Sequence, residues 1–221
     1  MSLEFLVPAA APGPDGRTAL ARSPMERQAQ AAGARFEVRD GWNVAVGYDG
    51  DEREALASAV GWADVSHLTK LEIAGGDDLR PGVATRARGA WWCRVTADRA
   101  LVIGDGGARD LVEDGVEVTT ALAALTIAGP LARELLARFC ALDLRDAATP
   151  VGGWRPGSVA RTPGYVLRED ADRFLVLFGW ALGEYLWTTV ADAAQRLGGA
   201  PVGVDALGPL PETAAEAARH A

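Results

Sequence analysis

Residues 64–70 concentrate the polar chemistry of this chain: Asp64, Ser66, His67 and Lys70 lie within one short stretch. Short polar side chains accept hydrogen bonds from backbone N–H groups two residues on, so Asp64, Ser66 and His67 can form a hydrogen-bonded turn. Such a turn can line a pocket, with His67 donating to a ligand, or it can simply reverse the chain. Lys70 is the only lysine, so any chemistry that needs a lysine amine, such as a cofactor Schiff base, rests on it. Of the two histidines, His220 lies in the terminal tail and His67 is the one expected in folded structure. A Ser-His-Asp triad would need His67, yet no Gly-x-Ser-x-Gly elbow supplies the serine. A second cluster runs Arg161-Thr162-Pro163-Gly164-Tyr165 and on to Glu169-Asp170. A carboxylate there can accept two N–H bonds from a flat heterocycle. The plainer reading is a hairpin with a solvated Glu-Asp turn. Trp91-Trp92-Cys93 is a third cluster; adjacent strand residues face opposite sides, so one indole enters the core and the other covers a cavity or a partner surface. Asp77-Asp78, flanked by glycines and Arg80, read as a solvated loop.

Composition narrows the remaining choices. Acidic residues number 30 against 22 basic ones, a net charge of −8, which disfavours nucleic acid and anionic membrane surfaces as partners. No apolar run approaches the roughly 20 residues that span a bilayer. Met1 to Pro14 shows no basic segment followed by a long apolar one, so a secretory signal is not expected and a cytoplasmic location is. Two cysteines, Cys93 and Cys140, are too few for a four-cysteine zinc site, and no metal site is expected. They read as reduced, buried thiols. Neither a Walker A loop nor a Gly-x-Gly-x-x-Gly turn after a strand occurs.

The elements that must position these residues follow from period and punctuation. Residues 1–22 show no period and read as a flexible segment; 23–205 form the domain and 206–221 an Ala-rich tail. Ser23-Pro24 with Glu26 predicts a helix start, with Gly33 as its stop. Asp40-Gly41 between 35–38 and 42–48 predicts a hairpin. Residues 51–60 predict a helix ended by Gly61. Strands are expected at 70–73, 91–95, 100–103, 116–120, 122–127, 159–167 and 173–178, and helices at 108–113, 131–140 and 183–197. The last helix buries Tyr185, Leu186, Val190 and Ala193. The order is mixed, which predicts an α+β fold with largely antiparallel sheets.

Several segments together resemble the glycine cleavage T-protein (aminomethyltransferase) family. Arg35-Phe36-Glu37-Val38 precedes Asp40-Gly41-Trp42, and Ala63-Asp64-Val65-Ser66-His67-Leu68-Thr69-Lys70 looks like the family's Asp-x-Ser-His-Met-x-Lys stretch. Ile127-Ala128-Gly129-Pro130-Leu131 looks like its Gly-Pro helix start, and Arg161 to Asp170 its Arg-Thr-Gly-Tyr-Thr-Gly-Glu-Asp segment. The resemblance covers residues 23–205. Pro163 interrupts the last match, and Leu68 stands where the family has methionine. The family's Asn-x-x-Gly-Gly-x-x-Asp-Asp stretch, whose aspartate is tied to catalysis, has no counterpart, nor does its C-terminal barrel domain. In these respects the chain is most similar to the gamma subunit of heterotetrameric sarcosine oxidase, which looks like a shortened T-protein lobe.

The resemblance implies a T-protein-like folate-binding fold in two intertwined lobes. It implies a pteridine pocket with Glu169 as the pterin-binding glutamate, Tyr165 beside it, and Leu68, His67 and Arg161 as further ligand contacts. Tetrahydrofolate is the implied cofactor, with flavin only on a partner subunit, and no residue is assigned a catalytic role. The expected function is a non-catalytic accessory subunit of a sarcosine oxidase-type complex, with alpha and beta subunits as partners. The alternatives are a stand-alone tetrahydrofolate-dependent aminomethyltransferase, for which Asp64, Asp77 and Asp78 are the aspartates on offer, and a degenerate binding protein without a ligand.

Overall fold

The computed structural model describes residues 19–209. The flexible segment expected at 1–22 falls mostly outside that range, as do most of the tail after 206 and His220. Elements run β1 (Ala21–Arg22), α1 (Glu26–Ala31), β2 (Arg35–Arg39), β3 (Trp42–Gly47), α2 (Glu52–Ser58), β4 (Gly61–Asp64) and β5 (Thr69–Ala74). Then come β6 (Thr85–Ala87), β7 (Ala90–Arg94), β8 (Arg99–Gly104), β9 (Val116–Glu117), β10 (Leu122–Ala128) and α3 (Ala132–Ala137). The chain continues through β11 (Trp154–Val159), β12 (Thr162–Asp170), β13 (Arg173–Gly179), α4 (Gly183–Gln195) and β14 (Ala200–Pro201). The fold is α+β and dominated by sheet.

A six-stranded sheet in the order β11-β12-β13-β10-β4-β14 forms the middle layer, antiparallel except where β14 joins β4. Its strands alternate strictly. Leu125 and Ile127 of β10, with Phe174, Val176 and Phe178 of β13, point into a core shared with helices α1, α3 and α4. Ala124, Leu175 and Leu177 point the other way, onto the second, five-stranded antiparallel sheet β6-β7-β8-β5-β9 through Trp91, Cys93, Leu101 and Ile103. Both faces of the middle sheet are covered, which is why β10 and β13 are largely apolar, Thr126 and Arg173 being the polar exceptions. A small third sheet, β1-β3-β2, packs Trp42, Val44 and Val46 against Trp180 and Val204.

Local differences from the sequence reading have local causes. Helix α1 starts at Glu26, because Ser23 Oγ takes the Met25 N–H at 3.0 Å and holds the chain in a turn before the helix. Gly61 does not stop α2; it opens β4. The segment expected as one strand at 159–167 is two, folded about Ala160 and Arg161, both at positive φ (48° and 63°). Ala21–Arg22 is a strand, not flexible lead. In α4 the buried stripe is Leu186, Trp187, Val190 and Ala194, while Tyr185 is exposed and donates its hydroxyl to Ala160 O at 3.0 Å. Gly129 is where the Gly-Pro motif needs glycine: φ is +115°, and a Cβ would stand 2.8 Å from Ala59 O.

Candidate functional site

The 64–70 segment builds one wall of a cavity. β4 ends at Asp64, whose Oδ1 accepts the Ser66 N–H at 3.0 Å, an Asx turn as the spacing predicts. Ser66 Oγ accepts from Ala124 N at 3.1 Å, tying the turn to β10, and Leu68 N–H closes onto Val65 O at 3.0 Å. These bonds leave His67 and Leu68 facing the cavity. Burial pushes the His67 imidazole down to about 4, helped by the Lys70 and Arg39 charges and opposed by Asp40. At neutral pH the wall therefore carries an uncharged ring.

Glu169 forms the opposite wall. The β12–β13 register shifts between Arg168 and Asp170, and such a bulge re-aims the side chain it contains. Glu169 is 7% exposed; its Oε1 accepts from Trp91 Nε1 and its Oε2 from Arg173 Nε, each at 3.2 Å. Burial raises the carboxyl pKa, while Arg173 and Trp91 work against the rise. Arg173 also donates to the carbonyls of Leu207 and Gly208 at 3.0 Å, holding the segment after β14 across the cavity. Arg39 grips Asp205 at 2.6 and 2.8 Å, and Gly203 N–H donates to Glu52 Oε1 at 2.9 Å. Gly203 lies so close to β3 that a Cβ would overlap Val46 O. The cavity volume is about 370 Å³, bordered also by Asp105, Thr126, Ile103 and Val204.

The five candidate residues therefore divide. His67, Leu68 and Glu169 share this cavity. Arg161 and Tyr165 border a second, wider groove of about 770 Å³ at the other end of β12, with Pro156, Phe178 and Leu182. Tyr165 stacks on Trp154 at 4.7 Å between ring centroids and 6° between planes. The hairpin read at Glu169-Asp170 exists, but Glu169 is buried in it, not solvated. Trp91 and Trp92 do face opposite sides of their sheet: Trp91 reaches Glu169, and Trp92 donates to Ala87 O at 3.2 Å. Trp92 and Trp180 are half-buried and the other five tryptophans buried, so no tryptophan stands fully exposed to mark a partner surface. Sequence reading did not find Arg173. Its only signal is that it stands four residues after Glu169, across the predicted hairpin.

The aspartates offered for acid–base work lie elsewhere. Asp64 is buried behind the turn, and Asp77 is exposed, 3.8 Å from Arg94. Among the described residues no cluster of three or more His, Cys, Asp or Glu could hold a metal, and no helix is long and apolar enough to cross a membrane. Cys93 and Cys140 are free and buried, and burial pushes both thiols up, away from reactivity.

No family model matches the chain. An aminomethyltransferase of Picosynechococcus sp. is 43% identical over 58 residues, which are 25% of this chain and 16% of that protein. A chain of heterotetrameric sarcosine oxidase from Corynebacterium sp. U-96, solved with pyrrole 2-carboxylate, superposes with a TM-score of 0.61 at 19% identity, covering 83% of this chain and all of that one. Aminomethyltransferase T of the glycine cleavage system from Bartonella henselae gives 0.67 at 18% identity, over 85% of this chain and 61% of that one. The likeness to the glycine cleavage T-protein family carried by the motifs is thus present in a stretch of sequence and in the fold as a whole. The curated relative is matched over about a sixth of its length.

Proposed function

We propose that the chain is a folate-binding lobe of T-protein type serving as a non-catalytic accessory subunit of a sarcosine oxidase-type complex, with flavin chemistry on its alpha and beta partners. The observation that carries the reading is Glu169, a buried carboxylate on a cavity of about 370 Å³. That volume falls in the range of small-molecule sites, roughly 300–1,000 Å³. A pteridine edge offers a ring N–H beside an amino group, a donor pair that one carboxylate accepts through its free lone pairs. Leu68 and Trp91 supply apolar flanks, and neutral His67 supplies a further polar contact. Arg161 and Tyr165 join this site only if a ligand extends to the second groove. The partner half of the reading is supported by the whole-chain likeness to a heterotetrameric oxidase chain.

The stand-alone aminomethyltransferase has the name of the curated relative in its favour. It needs a carboxylate poised for proton transfer or charge stabilisation at the folate. None of Asp64, Asp77 and Asp78 borders the cavity; the aspartate that does, Asp105, accepts the Gly107 N–H at 2.9 Å as the cap of a turn, a structural use that fits the accessory role. Two measurements test the proposal. Co-expressed with the alpha and beta chains of such an oxidase, the chain is expected to purify in a stoichiometric complex and to show no aminomethyl transfer by itself. Isolation as a free chain with turnover on tetrahydrofolate contradicts it. Titration with 5-formyltetrahydrofolate is expected to show saturable binding, and no heat at millimolar ligand removes the folate half.

A further inference from the structure

Lys70 is the only lysine in the chain and its side chain is fully buried. A buried ammonium must be held by acceptors or it gives up its proton. Here Nζ donates to Ser66 O at 2.8 Å and to Leu68 O at 2.9 Å, the carbonyls on either side of His67. The Lys70 backbone is itself fixed: it pairs with Ile103 in β5–β8, its N–H donates to Thr119 Oγ1 at 3.0 Å, and its carbonyl accepts from Val118 N at 2.8 Å. Asp64 takes the Ser66 N–H of the same turn. The turn is thus gripped at its N–H by the Asp64 carboxyl and at its carbonyls by the Lys70 amine, and the Lys70 side chain does not border the cavity.

We propose that Lys70 is a positioning residue of the cavity: its side-chain amine donates to the two carbonyls that flank His67 and so sets His67 and Leu68 as one wall. The charge also bears on which ligand that wall suits. Burial first, and then the Lys70 and Arg39 charges, disfavour a proton on His67, against Asp40, so the wall presents an imidazole that donates and accepts. Such a ring suits the neutral polar edge of a heterocycle and not an anion. The groups facing Lys70 itself are Asp64 from β4 and Glu117 from β9. The consequence for affinity rests on the function proposed above; the placement of the wall does not, and its readouts need no ligand.

With one lysine, selective ¹⁵N labelling of the full chain gives a single side-chain amine signal. The expected result is slowly exchanging Nζ protons and a titration near 7, where burial places it. Free exchange and titration as in an unfolded lysine overturn the proposal. Two variants then separate donor from charge, in a His220→Ala background that leaves His67 as the only imidazole. Lys70→Gln keeps N–H donors without the charge, and Lys70→Met removes both. The His67 titration is expected to move upward in both. Amide exchange at Ser66 and Leu68 is expected to quicken at least tenfold in Lys70→Met and less in Lys70→Gln. Folded variants with unchanged titration and exchange overturn the role, and if neither variant folds the wild-type amine signal decides. A several-fold loss of 5-formyltetrahydrofolate affinity in Lys70→Gln completes the case. A wild type that binds no folate overturns the proposed function while leaving the amine and imidazole readouts to judge Lys70.

Discussion

Tyr165 and Glu169 stand four residues apart on β12, and the strand gives them different surroundings. At the Glu169 end a bulge turns the carboxylate towards a cavity bordered by Trp91, Arg173 and the 64–70 turn. At the other end a two-residue turn, Ala160-Arg161, leaves Arg161 at the tip beside an open groove. Four strand residues span about 13 Å, more than one fused ring system reaches. Trp154, paired opposite Leu167 and stacked on Tyr165, stands between the two ends. A motif continuous in sequence therefore supplies two surfaces, a narrower cavity at Glu169 and a wider, more open groove at Tyr165.

Breaking the divider should cost most. Trp154 is 1% exposed, stacked on Tyr165, and donates to Arg94 O at 3.0 Å. Trp154→Ala should lower stability by about 3–5 kcal/mol in urea unfolding; a loss under about 1 kcal/mol means that Trp154 is not the wedge between the two surfaces.

Acid should weaken the cavity side next. The folded-state pKa of His67 is depressed from 6.5 to about 4, so below pH 6.5 the unfolded chain binds a proton that the folded one refuses. The contribution of His67 to stability is intact above pH 6.5 and falls as pH drops towards 4, by about 3 kcal/mol in all. His67→Asn should flatten that part of the pH–stability curve, and an unchanged slope assigns the loss to other groups.

Ligand affinity should then separate the two ends. Glu169→Gln should lose about 1.5–3 kcal/mol of binding to 5-formyltetrahydrofolate, tenfold or more, as expected for a hydrogen bond to a charged group. Tyr165→Phe should leave the affinity within about twofold, since a bond not made to the ligand has nothing to lose. The reverse ranking places the ligand in the open groove. The smallest effect is expected at the turn itself. Arg161→Gly relieves a non-glycine residue at φ +63° and should raise stability by about 1 kcal/mol without altering folate affinity.

How far the sequence reveals this division depends on the range of the interactions. The Asp40-Gly41 hairpin, the Asx turn at Asp64, the Gly129-Pro130 helix entry and the hairpin near Glu169 are local, and residue types announce them. β11 escaped because Pro156 and Gly157 look like strand breakers; as the edge strand of its sheet, β11 needs no ladder bond from Pro156. The Ala160-Arg161 turn was hidden because neither residue is the Gly or Asn that positive φ favours. The cavity itself rests on distant pairs: Trp91 meets Glu169 across 78 positions, and Arg173 meets Gly208 across 35. No spacing rule reports those; residue types offered a carboxylate at Glu169-Asp170 for a flat heterocycle, and the likeness to a known family singled out Glu169.

The central claim, that the Glu169 end of β12 is the ligand site, is tested most directly through the indole N–H signals of ¹⁵N-tryptophan protein. Trp91 donates to Glu169, so its signal watches the Glu169 end, while Trp154, stacked on Tyr165 and donating to Arg94 O, is the reference between the two ends. Added 5-formyltetrahydrofolate should shift the Trp91 signal in a saturable way and leave Trp154 in place. A shift at Trp154 with Trp91 unmoved, or no shift at either under millimolar ligand, contradicts the account.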